Sequence, residues 1–248
     1  IQQTGPLLAV IEIDVSGSPQ QLAELQTIAN SVQINPQAAL EPSAPDVLAA
    51  AAPALFEVTR VHTWNTPTGV FYITGEIANR GAAQVVDLPV RAVLYTTDGL
   101  GVAEAVDTVM GLAIPPGGFM PFSLRFGQGQ PALTTRFTVE VGGADWEPSD
   151  APAVYEPGNL DWIDESRFDD LGRLIVSGIV TNVGSEAVGD LRVVVTVSDA
   201  ASRVIAAGFS DIDAPPLEPN ESAPFEVIVP EMGGEPQEYS VTIQGVKP

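Results

Sequence analysis

No cysteine occurs among the 248 residues. Disulfides and thiolate metal sites are therefore excluded as supports of the fold, and so is a lipid-modified cysteine. Histidine occurs once, at His62. Any Ser–His or Cys–His nucleophilic set would have to centre on it. It lies in an apolar strand pattern, VTRVHTW, beside Trp64, and reads as a structural or surface residue. G-x-S-x-G, P-loop and dinucleotide fingerprints are also missing. Carboxylate pairs of the glycosidase kind are expected by chance among 32 acids. The expectation is a protein that is not an enzyme. No apolar run approaches the roughly 20 residues of a membrane helix. The longest candidate, residues 7–15, carries Glu12 and Asp14, so membrane insertion is not expected. The chain begins at Ile1 rather than Met, from which processing or trimming is expected.

Basic residues are scarce. Ten Lys and Arg stand against 32 Asp and Glu, for a net charge of −22. The excess is uneven: residues 1–56 hold five acids and no base (−5), residues 57–145 eight against five (−3), and residues 146–248 nineteen against five (−14). Such a surface repels nucleic acid and anionic membranes. The only lysine, Lys247, lies past the last predicted strand, which excludes intramolecular Lys–Asn isopeptide staples. High Val, Ala, Gly and Pro content with low charge density reads as a secreted β-protein, extracellular or at the cell surface.

What the chain does contain is an internal repeat at an offset of 103 residues. Gly75, Asn79, Gly81, Asp87, Leu88, Val90, Pro116, Pro121 and Phe122 fall on Gly178, Asn182, Gly184, Asp190, Leu191, Val193, Pro219, Pro224 and Phe225. Apolar positions keep step between them, as in Ile73/Val176, Leu94/Val197 and Phe126/Val229. Period-2 alternation marks the module as all-β, and several short strands separated by turn chemistry argue for an Ig-like β-sandwich in each copy.

Four segments are expected. Residues 1–54 form an N-terminal arm with a strand at 5–16, a short helix at 19–31 and an Ala/Pro linker. Residues 55–143 form the first sandwich, with strands at 55–62, 69–79, 85–97, 102–110, 119–127 and 133–141. Residues 144–159 are a Pro/Gly/acid linker. Residues 160–248 form the second sandwich, with strands at 160–164, 172–182, 188–199, 203–212, 222–230 and 237–246. The shared Gly-x-x-x-Asn-x-Gly reads as a strand entering a tight turn, with Asn and Gly in left-handed dihedrals. The shared Pro-Phe opens the fifth strand, where a missing N–H is tolerated.

The run G-x-[IV]-x-N-x-G, then V-x-A-V-L-Y-T-T-D-G (residues 90–99) and P-F-S-L (residues 121–124), resembles the FxLYD and CARDB-type Ig-like modules of prokaryotic surface proteins. Leu94-Tyr95 stands in place, Asp98 is displaced from the tyrosine, and the second repeat departs further at Val197-Ser198-Asp199. The resemblance spans about 57–142 and 160–246. It implies extracellular adhesion or scaffolding and carries no catalytic set.

Three ligand chemistries have candidate residues. Calcium takes six to eight oxygen ligands, and Asp161, Asp164, Glu165, Asp169 and Asp170 cluster at the start of the second repeat, though without EF-hand spacing; a solvated acidic loop is the favoured reading. Trp64, Trp146 and Trp162 could stack on a glycan, but two flank the linker and are expected to pack there. Asn220-Glu-Ser is a glycosylation sequon in a predicted loop. No cofactor is expected.

The N-terminal strand is the sharper feature. Leu7, Ala9, Ile11, Ile13 and Val15 alternate on one face. An isolated strand needs a sheet edge. It can fold back on its own repeat, or add to a neighbouring subunit and so build a filament or layer. The expected function is a self-assembling, non-enzymatic extracellular subunit, with copies of itself as partner. The alternative is an adhesion or ligand-binding module for a glycan or another surface protein.

Overall fold

The computed structural model describes residues 2–4, 7–9, 46–49, 55–131, 134–143, 146, 154 and 158–248. These residues are all-β, and no helix occurs among them. The helix expected at 19–31 lies outside the described residues. The chain divides into two compact units, residues 1–41 and 42–248. In the first, β1 (Gln2–Thr4) pairs antiparallel with β2 (Leu7–Ala9), Gln2 opposite Ala9.

In the larger unit, the first repeat places two sheets face to face. One has the order β10 (Phe119–Phe126), β5 (Phe71–Asn79), β4 (Phe56–Asn65). The other has the order β3 (Asp46–Ala49), β11 (Thr134–Val141), β7 (Pro89–Thr96), β8 (Gly101–Thr108). Strand β3 runs parallel to β11, and the other pairings are antiparallel. A short ladder joins β6 (Val85–Val86) and β9 (Ala113–Ile114). The second repeat has the same plan: β12 (Leu160–Phe168), β13 (Leu174–Asn182) and β16 (Ser222–Val229) oppose β15 (Val204–Asp211), β14 (Gly189–Ser198) and β17 (Glu238–Val246). Strands β5, β8 and β10 coincide with β13, β15 and β16 at an offset of 103 at both ends.

Alternation builds one core in each repeat. Phe71, Ile73, Ile77, Phe122 and Leu124 meet Val90, Leu94, Phe137 and Val139 in the first. Val176, Val180 and Val227 meet Val193, Val195, Val197 and Ile243 in the second. Burial of each such side chain contributes about 1.5–3 kcal/mol.

The repeated residues hold the sandwiches by specific contacts. Asn79 and Asn182 are fully buried. Asn79 Nδ2 donates to Ala83 O (2.8 Å) and Ile114 O (2.9 Å), and its Oδ1 accepts from Gly81 N. Asn182 repeats this with Glu186 O and Leu217 O (both 2.8 Å) and Gly184 N. Neither Asn, nor the Gly two residues on, takes a positive φ. The strand does end at the Asn, whose Oδ1 closes a turn with the Gly two residues on; the left-handed dihedrals expected there are corrected, and the Nδ2 ties the strand end to two backbone carbonyls further along the chain. The left-handed positions are Asp87 (φ 48°) and Asp190 (φ 45°). Asp87 interrupts the strand expected at 85–97, which divides into β6 and β7. Gly75 lies opposite Phe122 and Gly178 opposite Phe225, and a Cβ on either glycine would fall within 3 Å of the facing ring.

One local difference separates the repeats. In β4, Phe56 opposes Asn79 and His62 opposes Thr74. In β12, Leu160 opposes Asn182 and Glu165 opposes Ser177. Seven residues of β4 therefore span what six span in β12. The extra residue is a bulge at Arg60, whose φ is 55°. A bulge re-aims a side chain, and Arg60 is turned toward the second repeat.

Candidate functional site

The expected donor residues fall on both sides of the described boundary. Leu7 and Ala9 lie in β2, paired with β1; Ile11, Ile13 and Val15 lie outside the described residues. A sheet edge already completed by an added strand exists in the larger unit, where β3 ends the β11 edge through a parallel ladder from Thr138/Asp46 to Val141/Ala49. At the equivalent edge of β17, the described residues supply one isolated bridge, Val154 with Val246.

The most elaborate surface is the junction between the repeats, which sequence reasoning missed. The outward face of β4–β5–β10 lies against the outward face of β15–β14–β17. Strand β5 is consequently buried on both sides: Ile73 and Ile77 inward, Thr74, Glu76 and Ala78 outward. Val194, on the outward face of β14, is 1% exposed and joins the first repeat's core cluster. At the centre, Arg60 donates to Glu76 Oε1 (2.9 Å), Ser198 Oγ (2.5 Å) and Ser202 O (2.6 Å). Thr74 Oγ1 donates to Val204 O. At one end Gln244 Oε1 accepts from Leu112 N (2.8 Å) and Ala113 N (3.3 Å), while its Nε2 donates to Ala113 O (2.8 Å). At the other, His62 Nε2 donates to Gly233 O at 3.0 Å. Trp64 and Tyr72 stack there with centroids 4.3 Å apart, and the backbone at Gly233 lies against the Trp64 ring. Burial, followed by the hydrogen bond to Glu231 (2.6 Å), pushes the Tyr72 phenol up. The sequence did carry a signal, since β5 (FYITGEIAN) has its one charge amid uncharged residues on both faces.

The equivalent outward face of the second repeat, on β12–β13–β16, is exposed over much of its area, though Ile175 within it is buried. Register places Ile163, Ile179 and Pro224 in one row across three strands. Ile163 is 72% exposed and Ile179 46%.

The acidic cluster does not converge. Asp161 and Glu165 alternate with Asp164 along β12, so they project to opposite faces. Asp164 accepts from Tyr239 Oη at 2.7 Å. Asp169, in the turn after β12, accepts from Leu171 N, Arg173 N and Arg173 Nε. Among the described residues, no group of three or more His, Cys, Asp or Glu is placed to hold a metal ion. Asp199 makes the same turn with Ala201 N, Arg203 N and Arg203 Nε. These contacts hold both carboxyls below the usual carboxylate range. The Arg173 backbone N–H leads at Asp169, and the Arg203 guanidinium leads at Asp199. Of the tryptophans, Trp64 is in the junction, Trp146 meets Phe56 edge-on at 5.6 Å, and Trp162 packs on the second core. Asn220 is exposed in a turn with φ 70°. Lys247 pairs with Glu186.

No protein-family model and no curated protein matches the chain. Among solved structures it is similar to a red sea bream transglutaminase at 10% identity, covering 94% of this chain and 33% of that one, with a TM-score of 0.25. It is also similar to an Amycolatopsis orientalis exo-chitosanase at 14% identity, covering 75% and 25%, with a TM-score of 0.24. The chain thus spans about a third or less of either protein. Likeness at this level carries no functional weight.

Proposed function

We propose that this chain is a non-enzymatic structural subunit of an extracellular filament or surface layer, joined by addition of its N-terminal strand to a neighbouring copy. The observation that carries this reading is that strand addition already completes a sheet edge in this fold: β3 lies on the β11 edge in a parallel ladder from Asp46/Thr138 to Ala49/Val141. An open strand edge is a template for another strand. Leu7, Ala9, Ile11, Ile13 and Val15 are the donated anchors. A donor from one copy and an acceptor on the next make a head-to-tail contact, which continues as a polymer unless it closes.

Negative-stain electron microscopy tests this on the full chain beside Ile11→Asp/Ile13→Asp. Polymers from the first and none from the second are expected. Polymers that survive the double substitution would overturn strand addition.

A further inference from the structure

Asp98-Gly99 is the one Asp-Gly step in the chain, and Asn-Gly does not occur. It sits at the tip of the β7–β8 hairpin, where residues 97–100 are all exposed. Glycine after aspartate matters chemically. With no Cβ on the following residue, its backbone nitrogen meets no side-chain hindrance as it approaches the carboxyl carbon. The turn itself does not demand glycine. At the offset of 103, Gly99 falls on Ser202, and both are left-handed (φ 86° and 60°). Asp98 falls on Ala201, so the second repeat builds the same turn without the reactive pair.

Both reacting groups are held by one residue. Thr96 Oγ1 donates to Asp98 Oδ1, and Gly99 N donates to Thr96 O at 3.0 Å. Thr96 is fixed in turn: it is 8% exposed, its N donates to Leu100 O at 3.0 Å, and its Oγ1 accepts from Leu100 N at 3.2 Å. The Thr96 hydroxyl, ahead of the backbone bond at Asp98, also holds the carboxyl below the usual carboxylate range. An ionised carboxylate is the poorer electrophile.

We propose that Asp98 is a site of spontaneous isomerisation to isoaspartate, which Thr96 restrains in the folded chain. Gly99 N attacks Asp98 Cγ of the protonated carboxyl and a new N–Cγ bond forms. The carboxyl hydroxyl leaves as water with the Gly99 amide proton. Water then opens the five-membered imide at either carbonyl. Opening at Cγ restores aspartate, and opening at the backbone carbonyl leaves isoaspartate. No oxidant, reductant or cofactor enters. The product carries an extra methylene in the backbone of the turn, which upsets the Thr96–Leu100 pairing and opens the tip of the hairpin. Residues 1–41 take no part, so this step is independent of strand addition.

The full chain, Thr96→Val and Thr96→Ser are held for several weeks at neutral pH, folded and in urea. Trypsin with Glu-C releases residues 92–104, and electron-transfer fragmentation distinguishes isoaspartate from aspartate at equal mass. Isoaspartate at Asp98 is expected to form about tenfold more slowly in the folded full chain and in folded Thr96→Ser than in urea. Folded Thr96→Val, which loses a hydrogen bond to a charged group, should be faster than the full chain by about tenfold. Equal rates for the folded full chain and folded Thr96→Val would overturn the proposal. So would a folded full chain as fast as the sample in urea, or no isoaspartate at Asp98 in urea. The last two comparisons decide the matter even where circular dichroism shows Thr96→Val unfolded.

Discussion

Arg60 reaches Glu76 from the one inserted residue that distinguishes β4 from β12. Glu76 is 3% exposed, and this guanidinium pairs with it at 2.9 Å. A carboxylate so placed depends on its partner, because breaking a buried pair strands a charge.

Arg60→Ala is therefore expected to destabilise the chain by about 3 kcal/mol in urea unfolding. Arg60→Met/Glu76→Leu should recover most of the loss, since two apolar groups need no compensation. A double variant no more stable than Arg60→Ala would show that the bulge geometry, and not the charge pair, holds the junction.

Asn79→Ala and Asn182→Ala each remove three hydrogen bonds at a buried site. Each should cost about 2–4 kcal/mol. The sites lie in different cores, so the double variant should lose the sum to within about 0.5 kcal/mol. Matching losses in thermal or chemical unfolding would establish that the motif does one job twice.

Gly75 and Gly178 look alike in sequence but differ in tolerance. An added Cβ at Gly75 would meet the Phe122 ring at 2.8 Å, whereas at Gly178 it would meet Ile163 O at 2.2 Å as well as the Phe225 ring. Phe122→Leu is expected to relieve part of the loss caused by Gly75→Ala. Phe225→Leu should not relieve Gly178→Ala, because a backbone carbonyl cannot step aside. Melting temperatures of the four variants decide this.

Acid should expose the Asp–Arg turns. Asp169 and Asp199 are held below the usual carboxylate range in the folded chain. Their contribution is then present above the unfolded carboxylate value and is lost as pH falls through the lowered native one. Melting temperature should therefore fall in that acid window. Asp169→Asn/Asp199→Asn should flatten the acid limb relative to wild type, while Arg203→Ala should remove the largest influence on Asp199.

Much of the architecture was legible because alternation and turn chemistry are local. The offset of 103 located most strands, and Gly75 opposite Phe122 follows from register once those strands pair. The turn at Asn79 is legible, but its buried Nδ2 bonds to Ala83 O and Ile114 O are not, since a turn Asn that also reaches a distant carbonyl looks the same in sequence as one that does not. The junction was not legible. Alternation tells which side chains share a face, but not what covers that face, so Thr74 and Ser177 read alike while one is buried and the other partly open. The bulge at Arg60 left no signal either, because one inserted residue in a strand changes no composition. The acidic residues of 161–170 looked like a cluster on paper, and the pleat of β12 separates them.

That inserted residue bears on how the chain avoids tangling with itself. Two neighbouring modules of the same plan invite strands to pair with the wrong module during folding. Strand β4 laid on β13 would carry its bulge with it, but Arg60 would then find Ile179 where β5 supplies Glu76. The Arg60–Glu76 pair thus favours β4 on its own module over β4 on the other.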